Sequence, residues 1–350
     1  MYIKNIVVKK LNNKEIQKIT FINDNNYSIS FFNFGGYVDS ILIPYKNNSN
    51  KKEDVLLGYK NINEYINDTS FFNCIIGRVS NRISNSNFTL NNKNYELSSN
   101  IKPHHLHGGL KGFNKKIWKI EEVDKTKDKL YCILKYTSVN LEEGYPGNLD
   151  CTVVYSLTNK NEIIIDFYAE SDQDTLVNLT NHNYWNFHGH NKNYQNIYNH
   201  YVKINANHYC ETDDQRMPTG KLLNVKKTKF NFLFGKTIDK KTIGKVGIDT
   251  CYSINNFNNN IKEVGSIFSN LTEMGVIFYS NQPGLQFYTG NMMKEYYKGK
   301  YSKKYGTQFG LCFEPQLFPD AINHANFITP ILRKGKKYHS KIIMELKNKF

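Results

Sequence analysis

Short runs that alternate apolar and polar residues follow one another along this chain with almost no helical spacing between them, and that leaves few architectures open. LYCILKYTSV (Leu130 to Val139), CTVVYSL (Cys151 to Leu157), EIIIDFYAE (Glu162 to Glu170), MGVIFYS (Met274 to Ser280) and HSKIIMEL (His339 to Leu346) read as strands, in which successive side chains point to opposite faces of a sheet. ITFINDNNYSISFF (Ile19 to Phe32) and FTLNNKNYEL (Phe88 to Leu97) double back on Asn-rich turns, the signature of hairpins. Helix-like spacing is confined to a turn or two at Asn61 to Ile66 and at Asp320 to His324. Strands without intervening helices pair antiparallel and must bury their apolar faces against another sheet, so an all-β fold, a large antiparallel β-sandwich, is expected. No linker, repeat or low-complexity tail interrupts the series, and residues 1–350 read as one domain.

With 39% hydrophobic and 14% aromatic residues over 350 positions, the chain can fill a large core. Its net charge of +15 raises the question of an anionic partner. The lysines, however, are scattered among asparagines, as in NNKNYE and NNFNNNIK, and arginine occurs only at Arg78, Arg82, Arg216 and Arg333. Specific nucleic-acid sites rely on clustered arginine forks, and no basic helix, zinc-finger spacing or aromatic RNA-binding signature is present, so no nucleic-acid partner is expected. The six cysteines form no CxxC pair and read as reduced thiols. No apolar run has the length of a membrane span or of a signal-peptide core, which points to a cytoplasmic protein without a membrane partner.

Four stretches look chemical. In QFGLCFEPQLFPDAINHANF (Gln308 to Phe327), Phe309, Leu311 and Phe313 alternate as a strand, and Pro315, Pro319 and Asp320 turn the chain, so Glu314 is expected at a strand-to-loop exit. Flanked by Phe313 and Pro315, its carboxylate loses hydration and gains proton affinity, as a general base requires; the alternative is a rim carboxylate in solvent. PHHLHGGLKGF (Pro103 to Phe113) places His104, His105 and His107 before a Gly-Gly pair that can turn sharply near a ligand. A metal, a turn with packed histidines and an active-site His107 are all open here, although neighbours in extended chain diverge and a metal would need ligands from elsewhere. NLTNHNYWNF (Asn178 to Phe187) sets His182 among amides beside Tyr184 and Trp185. Such a run suits the C–H face and hydroxyls of a sugar, or an aromatic core. Gly77 to Ile83, GRVSNRI, holds two of the few arginines, and Arg82 suggests a planar fork for a buried ion pair or for two ligand hydroxyls.

Taken with EEGYPGNL (Glu142 to Leu149), PTGK (Pro218 to Lys221) and QPGLQFYTGN (Gln282 to Asn291), these motifs resemble, in order and approximate spacing, those of the aldose 1-epimerases, the galactose mutarotases, over nearly the whole chain. The resemblance implies a large antiparallel β-sandwich that interconverts the α and β anomers of a free hexose with neither cofactor nor metal. It implies Glu314 as general base, His182 as general acid and His107 as a second active-site histidine. It also implies Asn81, Arg82, Asp249 and Gln286 as sugar contacts. The setting of Asp249, Gly247-Ile248-Asp249-Thr250-Cys251, keeps the acid but not the His-Asn that follows it in the family, and Glu314-Pro315-Gln316-Leu317-Phe318 replaces the usual Glu-Thr-Gln-Asn-Trp.

Reference pKa values leave Glu314 ionised at neutral pH and His182 about one quarter protonated, and a nearby carboxylate would favour the imidazolium. Two alternatives stand beside this reading. A related branch acts on hexose 6-phosphates, which Lys111, Lys115 or Lys116 could approach, whereas Arg216 and Arg333 fall in loops away from the motifs; the wording of NHNYWNF and QPGLQFYTGN is closer to the free-sugar branch. A sugar-binding sensor of the same fold is the second, and retention of both Glu314 and His182 argues against it. The expected partner is a small hexose, and monomer and dimer fit equally.

Overall fold

Alternation decides which way the long strands face. In Leu149–Thr158 the side chains of Leu149, Cys151, Val153, Tyr155 and Leu157 are buried, and in Glu162–Ser171 so are Ile163, Ile165, Phe167 and Ala169. The two pair antiparallel with Val153 opposite Phe167, which puts the apolar sets on one face. A computed structural model, which describes residues 1–190, 196–244, 246–293 and 297–349, assembles three main sheets. The largest has nine strands in the order Lys119–Lys125, Lys129–Ser138, Leu149–Thr158, Glu162–Ser171, Lys337–Lys347, Gly275–Ser280, Lys262–Ser269, His200–Ile204 and Lys236–Thr237. Chain order and spatial order differ most at Lys337–Lys347, the last strand in sequence, which lies in the middle.

Two five-stranded sheets accompany it. The N-terminal one is a meander of Tyr2–Leu11, Lys14–Ile22, Ser28–Phe32, Val38–Tyr45 and Asn48–Asp54. The other runs Pro218–Asn224, His208–Thr212, Asp249–Ser253, Gly284–Tyr288 and Cys312–Gln316. One continuous core joins all three: Phe31 of the N-terminal sheet stacks on Tyr155 of the large sheet with centroids 4.5 Å apart, and Phe313 of the smaller C-terminal sheet meets Phe278 of the large sheet at 5.3 Å. Each such aromatic side chain, taken fully out of water, contributes about 1.5–3 kcal/mol. The sandwich expected from the alternating runs is the observed fold, the hairpins at Ile19 to Phe32 and Phe88 to Leu97 pair as expected, and the helical turns sit at Ile62–Ile66 and Ala321–Asn323.

The strand carrying Glu314 departs from expectation. It spans Cys312–Gln316, so Glu314 lies mid-strand and Pro315 continues the strand instead of breaking it. Proline lacks a donor for a ladder, but this strand is the edge of its sheet, where an outward-facing position needs none. The Pro315 carbonyl accepts a hydrogen bond from Thr180 Oγ1 at 2.8 Å, tying the edge to the short strand Thr180–Asn181. Glu314 is 1% exposed, which removes the solvent-rim alternative.

Candidate active site

Pairing across the smaller C-terminal sheet sorts its side chains. Gln286 stands opposite Glu314 and also opposite Cys251, while Tyr288 stands opposite both Cys312 and Asp249. Directly opposed residues share a face, so Asp249, Gln286, Tyr288 and Glu314 project together, and Phe313, Phe287 and Leu285 between them enter the core. The projecting face forms the floor of a cavity of about 260 Å³. That is slightly smaller than the roughly 300–1,000 Å³ typical of sites for drug-sized ligands and suits one pyranose ring.

Three further segments wall the cavity. The two-residue strand Thr180–Asn181 pairs with Ile75–Ile76, and His182 follows, its backbone N–H donating to the Cys74 carbonyl at 3.0 Å. Its ring lies against Tyr184 with centroids 5.0 Å apart and edge-on to His107 at 5.3 Å. His107 comes from the short strand His105–Leu106, which pairs with Arg82–Ile83. The glycine that follows it is required: at φ +84, a Cβ on Gly108 would sit 1.8 Å from the Gly77 carbonyl oxygen, so the Gly-Gly pair serves a close approach of two backbones. Phe71, with φ 58, places its ring 4.8 Å from that of His107.

All the residues nominated from sequence line this cavity: Asn81, Arg82, His107, His182, Asp249, Gln286 and Glu314. His182 Nε2 lies 3.6 Å from Glu314 Oε1, with both side chains buried. His182 Nδ1, Glu314 Oε2 and Gln286 Oε1 have no hydrogen-bond partner among the described residues, a costly arrangement unless a ligand completes it. Asp249 accepts from Gln286 Nε2 at 2.6 Å and has Arg82 Nη2 3.8 Å away.

Charge in the pocket differs from what reference values suggest. Burial pushes the Glu314 carboxyl well above the usual carboxylate range, the Asp249 charge adds to the rise, and Arg82 opposes it. Burial likewise pushes His182 down to about 4. His107 falls well below the usual imidazole range, again chiefly by burial, with His182 and Arg82 contributing. A separation of 3.6 Å is that of an ion pair, yet withdrawal from water favours the uncharged form of each partner. The expectation that Glu314 would favour the imidazolium of His182 is therefore reversed.

The histidines of PHHLHGG separate. His104 Nε2 meets Gln215 Oε1 at 3.0 Å and His105 Nε2 meets the Tyr145 hydroxyl at 2.7 Å, leaving His107 alone of the three in the cavity. A different trio, His107, His182 and Glu314, has ligand atoms within 4.8 Å of one another. The Asn81 N–H, however, donates to His107 Nδ1 at 3.2 Å, so a neutral ring carries its proton on Nε2 and presents a donor where a metal ligand must present a lone pair. This donor suits a hydroxyl or ether oxygen better than a cation.

Other sequence features resolve into structure. Arg78 lies outside the cavity and donates to Ser138, Val139, Pro146, Gly147 and Thr175, so EEGYPGNL wraps a buried guanidinium. Trp185 packs in the core against Phe187 and Phe278. The lysines after the Gly-Gly turn are engaged elsewhere or point outward: Lys115 Nζ donates to the Ile66 carbonyl at 2.9 Å, Lys116 pairs with Glu142, and Lys111 is exposed. Sequence reasoning missed Phe71, Met292 and Met293 as lining residues, and it placed Arg216 away from the site, whereas Arg216 Nη1 lies 3.7 Å from Asp249 Oδ2. The only local signal for Arg216 was its proximity to PTGK.

A buried carboxyl and imidazole side by side in a sugar-sized pocket of a β-sandwich suit an isomerase that works by proton transfer. The chain belongs to the aldose 1-epimerase family: a family profile described as Aldose 1-epimerase matches residues 17–345. The galactose mutarotase of Bos taurus is 33% identical over 305 residues, covering 84% of each chain. The aldose 1-epimerase of Haemophilus influenzae is 31% identical over 333 residues, covering 92% of this chain and 93% of its own. Among solved structures, an aldose epimerase homologue from C. elegans superposes with a TM-score of 0.86 at 26% identity, covering 96% of this chain and 100% of its own. Galactose 1-epimerase from Lactobacillus acidophilus gives 0.85 at 21% identity, covering 100% and 99%.

Proposed function

We propose that this chain interconverts the α and β anomers of a free aldohexose, galactose or glucose, by opening and reclosing the pyranose ring. One observation carries the assignment of roles: the His182 imidazole and the Glu314 carboxyl lie 3.6 Å apart. The oxygens that exchange protons in a hemiacetal, the C1 hydroxyl and the ring oxygen, are bonded to the same carbon, so acid and base must sit side by side. Glu314 takes the C1 hydroxyl proton while His182 protonates the ring oxygen and the bond from C1 to that oxygen breaks, leaving an aldehyde. Rotation about C1–C2 exposes the other carbonyl face. On closure His182 recovers a proton from the attacking hydroxyl and Glu314 returns its own to the carbonyl oxygen, so the pair carries one proton throughout, on His182 before opening and on Glu314 in the aldehyde. Burial disfavours the charged arrangement, and the hydroxyl donors of a bound sugar stabilise the Glu314 carboxylate, whose proton passes to His182 to give the imidazolium that acts as acid. Each group contributes roughly 10²–10⁴ in rate.

The remaining lining groups bind. Asn81, Arg82, Asp249 and Gln286 offer donors and acceptors to hydroxyls, His107 offers its Nε2 proton, and Phe71, Tyr184 and Tyr288 offer apolar faces to the C–H side of the ring. This scheme needs neither metal nor cofactor. An unphosphorylated substrate is favoured because, among the described residues, no lysine lines the cavity and the two guanidiniums near it, Arg82 and Arg216, face the Asp249 carboxylate. A cytoplasmic setting is supported by six free, buried thiols.

Anomer-resolved NMR on freshly dissolved α-galactose, α-glucose and α-glucose 6-phosphate tests the reading. Accelerated approach to anomeric equilibrium is expected for the free sugars. Binding without acceleration would make the protein a sensor, and a tenfold or larger kcat/KM preference for the phosphate ester, about 1.4 kcal/mol of transition-state binding, would make it a sugar-phosphate enzyme.

A further inference from the structure

Arg216 holds a place at the rim of the pocket that no motif foretold. It sits in a turn fastened from several sides. Asp213 Oδ1 accepts from the backbone N–H groups of Gln215 at 2.8 Å and Met217 at 2.9 Å, and the Arg216 N–H donates to the Asp213 carbonyl at 3.0 Å. The Gln215 side chain is anchored in turn by His104. From this turn, with its own backbone left-handed at φ 63, Arg216 reaches over the pocket wall. Its Nη1 lies 3.7 Å from Asp249 Oδ2 and also contacts Met292 Sδ, which belongs to the cavity lining. The same Asp249 oxygen has Arg82 Nη2 at 3.8 Å, so one carboxylate is flanked by two guanidiniums, while its other oxygen is held by Gln286.

These contacts give the pocket a direction. Glu314 and Gln286 are cross-strand neighbours, Gln286 holds Asp249, and Asp249 meets Arg216. The file begins at the carboxyl–imidazole pair and ends at the rim, where the Arg216 side chain is 37% exposed. In a pyranose, C4 lies across the ring from C1, and C3 across from the ring oxygen. With C1 and the ring oxygen at Glu314 and His182, a placement that rests on the function proposed above, the hydroxyls of C3 and C4 fall at the Asp249–Arg216 end. We infer that Arg216 is a specificity-determining residue whose guanidinium, steadied over Asp249, recognises the hydroxyls at C3 and C4 of the sugar. Arginine suits the task because its fork can serve the carboxylate and a hydroxyl together.

Wild type, Arg216→Ala and Arg216→Lys are to be compared by polarimetry on galactose, 3-deoxygalactose and 4-deoxygalactose, with Tm measured alongside. Removing the fork is expected to raise the galactose KM about tenfold, or about 1.4 kcal/mol, with kcat changed less than about twofold and Tm unmoved. Lysine, which keeps the charge without the fork, is expected to raise KM about threefold. The penalty that wild type shows for loss of the 3- or 4-hydroxyl should shrink in Arg216→Ala by the factor lost on galactose. An unchanged galactose KM, or deoxy-sugar penalties equal in the two enzymes, overturns the inference. So does a lowered Tm with all three sugars affected alike, which is the mark of a purely structural residue. A wild type that fails to accelerate galactose mutarotation sinks the proposed function itself, whereas an active wild type with an indifferent Arg216→Ala sinks only this inference.

Discussion

Arg78 directs its guanidinium to Ser138, Thr175 and the carbonyls of Val139, Pro146 and Gly147, while Arg82 of the same GRVSNRI motif turns into the cavity and meets Asp249 at 3.8 Å. Around Arg78 each nitrogen of the guanidinium donates a hydrogen bond, the group lies over the Tyr145 ring at 5.8 Å, and Glu142 reaches it through the Ser138 hydroxyl. Around Arg82 the neighbours Glu314, His182 and Gln286 keep buried polar atoms without partners among the described residues. Both arginines are buried, and burial pulls both below the usual guanidinium range. What separates these two arginines is thus whether the polar groups around them are satisfied within the protein.

The largest effect is expected on the incomplete side. Glu314→Gln should lose at least about two orders of magnitude in the catalysed rate while still binding sugar, and His182→Asn should do similar damage. Stability should move the other way. A carboxyl pushed up by burial holds its proton more tightly in the folded chain, so stability declines as pH rises above the unfolded value, and Glu314→Gln relieves that decline. A higher Tm at pH 8 with lost turnover is therefore expected; near-normal polarimetric turnover would remove the base from its role.

On the completed side the effect falls on folding. Arg78→Met strips donors from several buried carbonyls and should destabilise by about 3–5 kcal/mol in denaturant titration, with turnover per folded molecule kept within about threefold. Equal stability, or lost turnover in a stable protein, would erase the distinction between the two arginines.

The smallest effect is in the acid limb of stability. His182 titrates near 6.5 when unfolded and near 4 when folded, so the unfolded chain binds the proton first and stability falls as pH drops through that window. Each unit of displacement is worth about 1.4 kcal/mol. The Tm of His182→Asn should fall less between pH 6.5 and 4 than that of wild type, and parallel curves would show that His182 is not held neutral.

Sequence made the strands legible because their alternation is local, and it nominated the residues from Asn81 to Glu314 that meet in the cavity because their motifs resemble a family. It did not show the pairing of Asp249–Ser253, Gly284–Tyr288 and Cys312–Gln316, since register between distant segments leaves no local trace. Glu314 was misplaced at a strand end because proline reads as a breaker unless the strand is known to lie at an edge. Arg216 was set aside because only the folded turn at Asp213 to Met217 aims it at Asp249. Reference pKa values failed for His182 because the burial of a group is a property of the whole sandwich and not of its neighbours in sequence.

Glu314 is carried between Phe313 and Pro315 on a pleated strand, so its address is one of parity. Loss or gain of a single residue upstream within Cys312–Gln316 would turn the carboxylate toward Phe278 and bring an apolar neighbour to the cavity floor. Connecting loops can change length freely over evolutionary time, whereas this segment tolerates only even steps. Among descendants of this chain, insertions and deletions are therefore expected to pile up in the turns and to be missing from the five residues that decide which way the carboxylate faces.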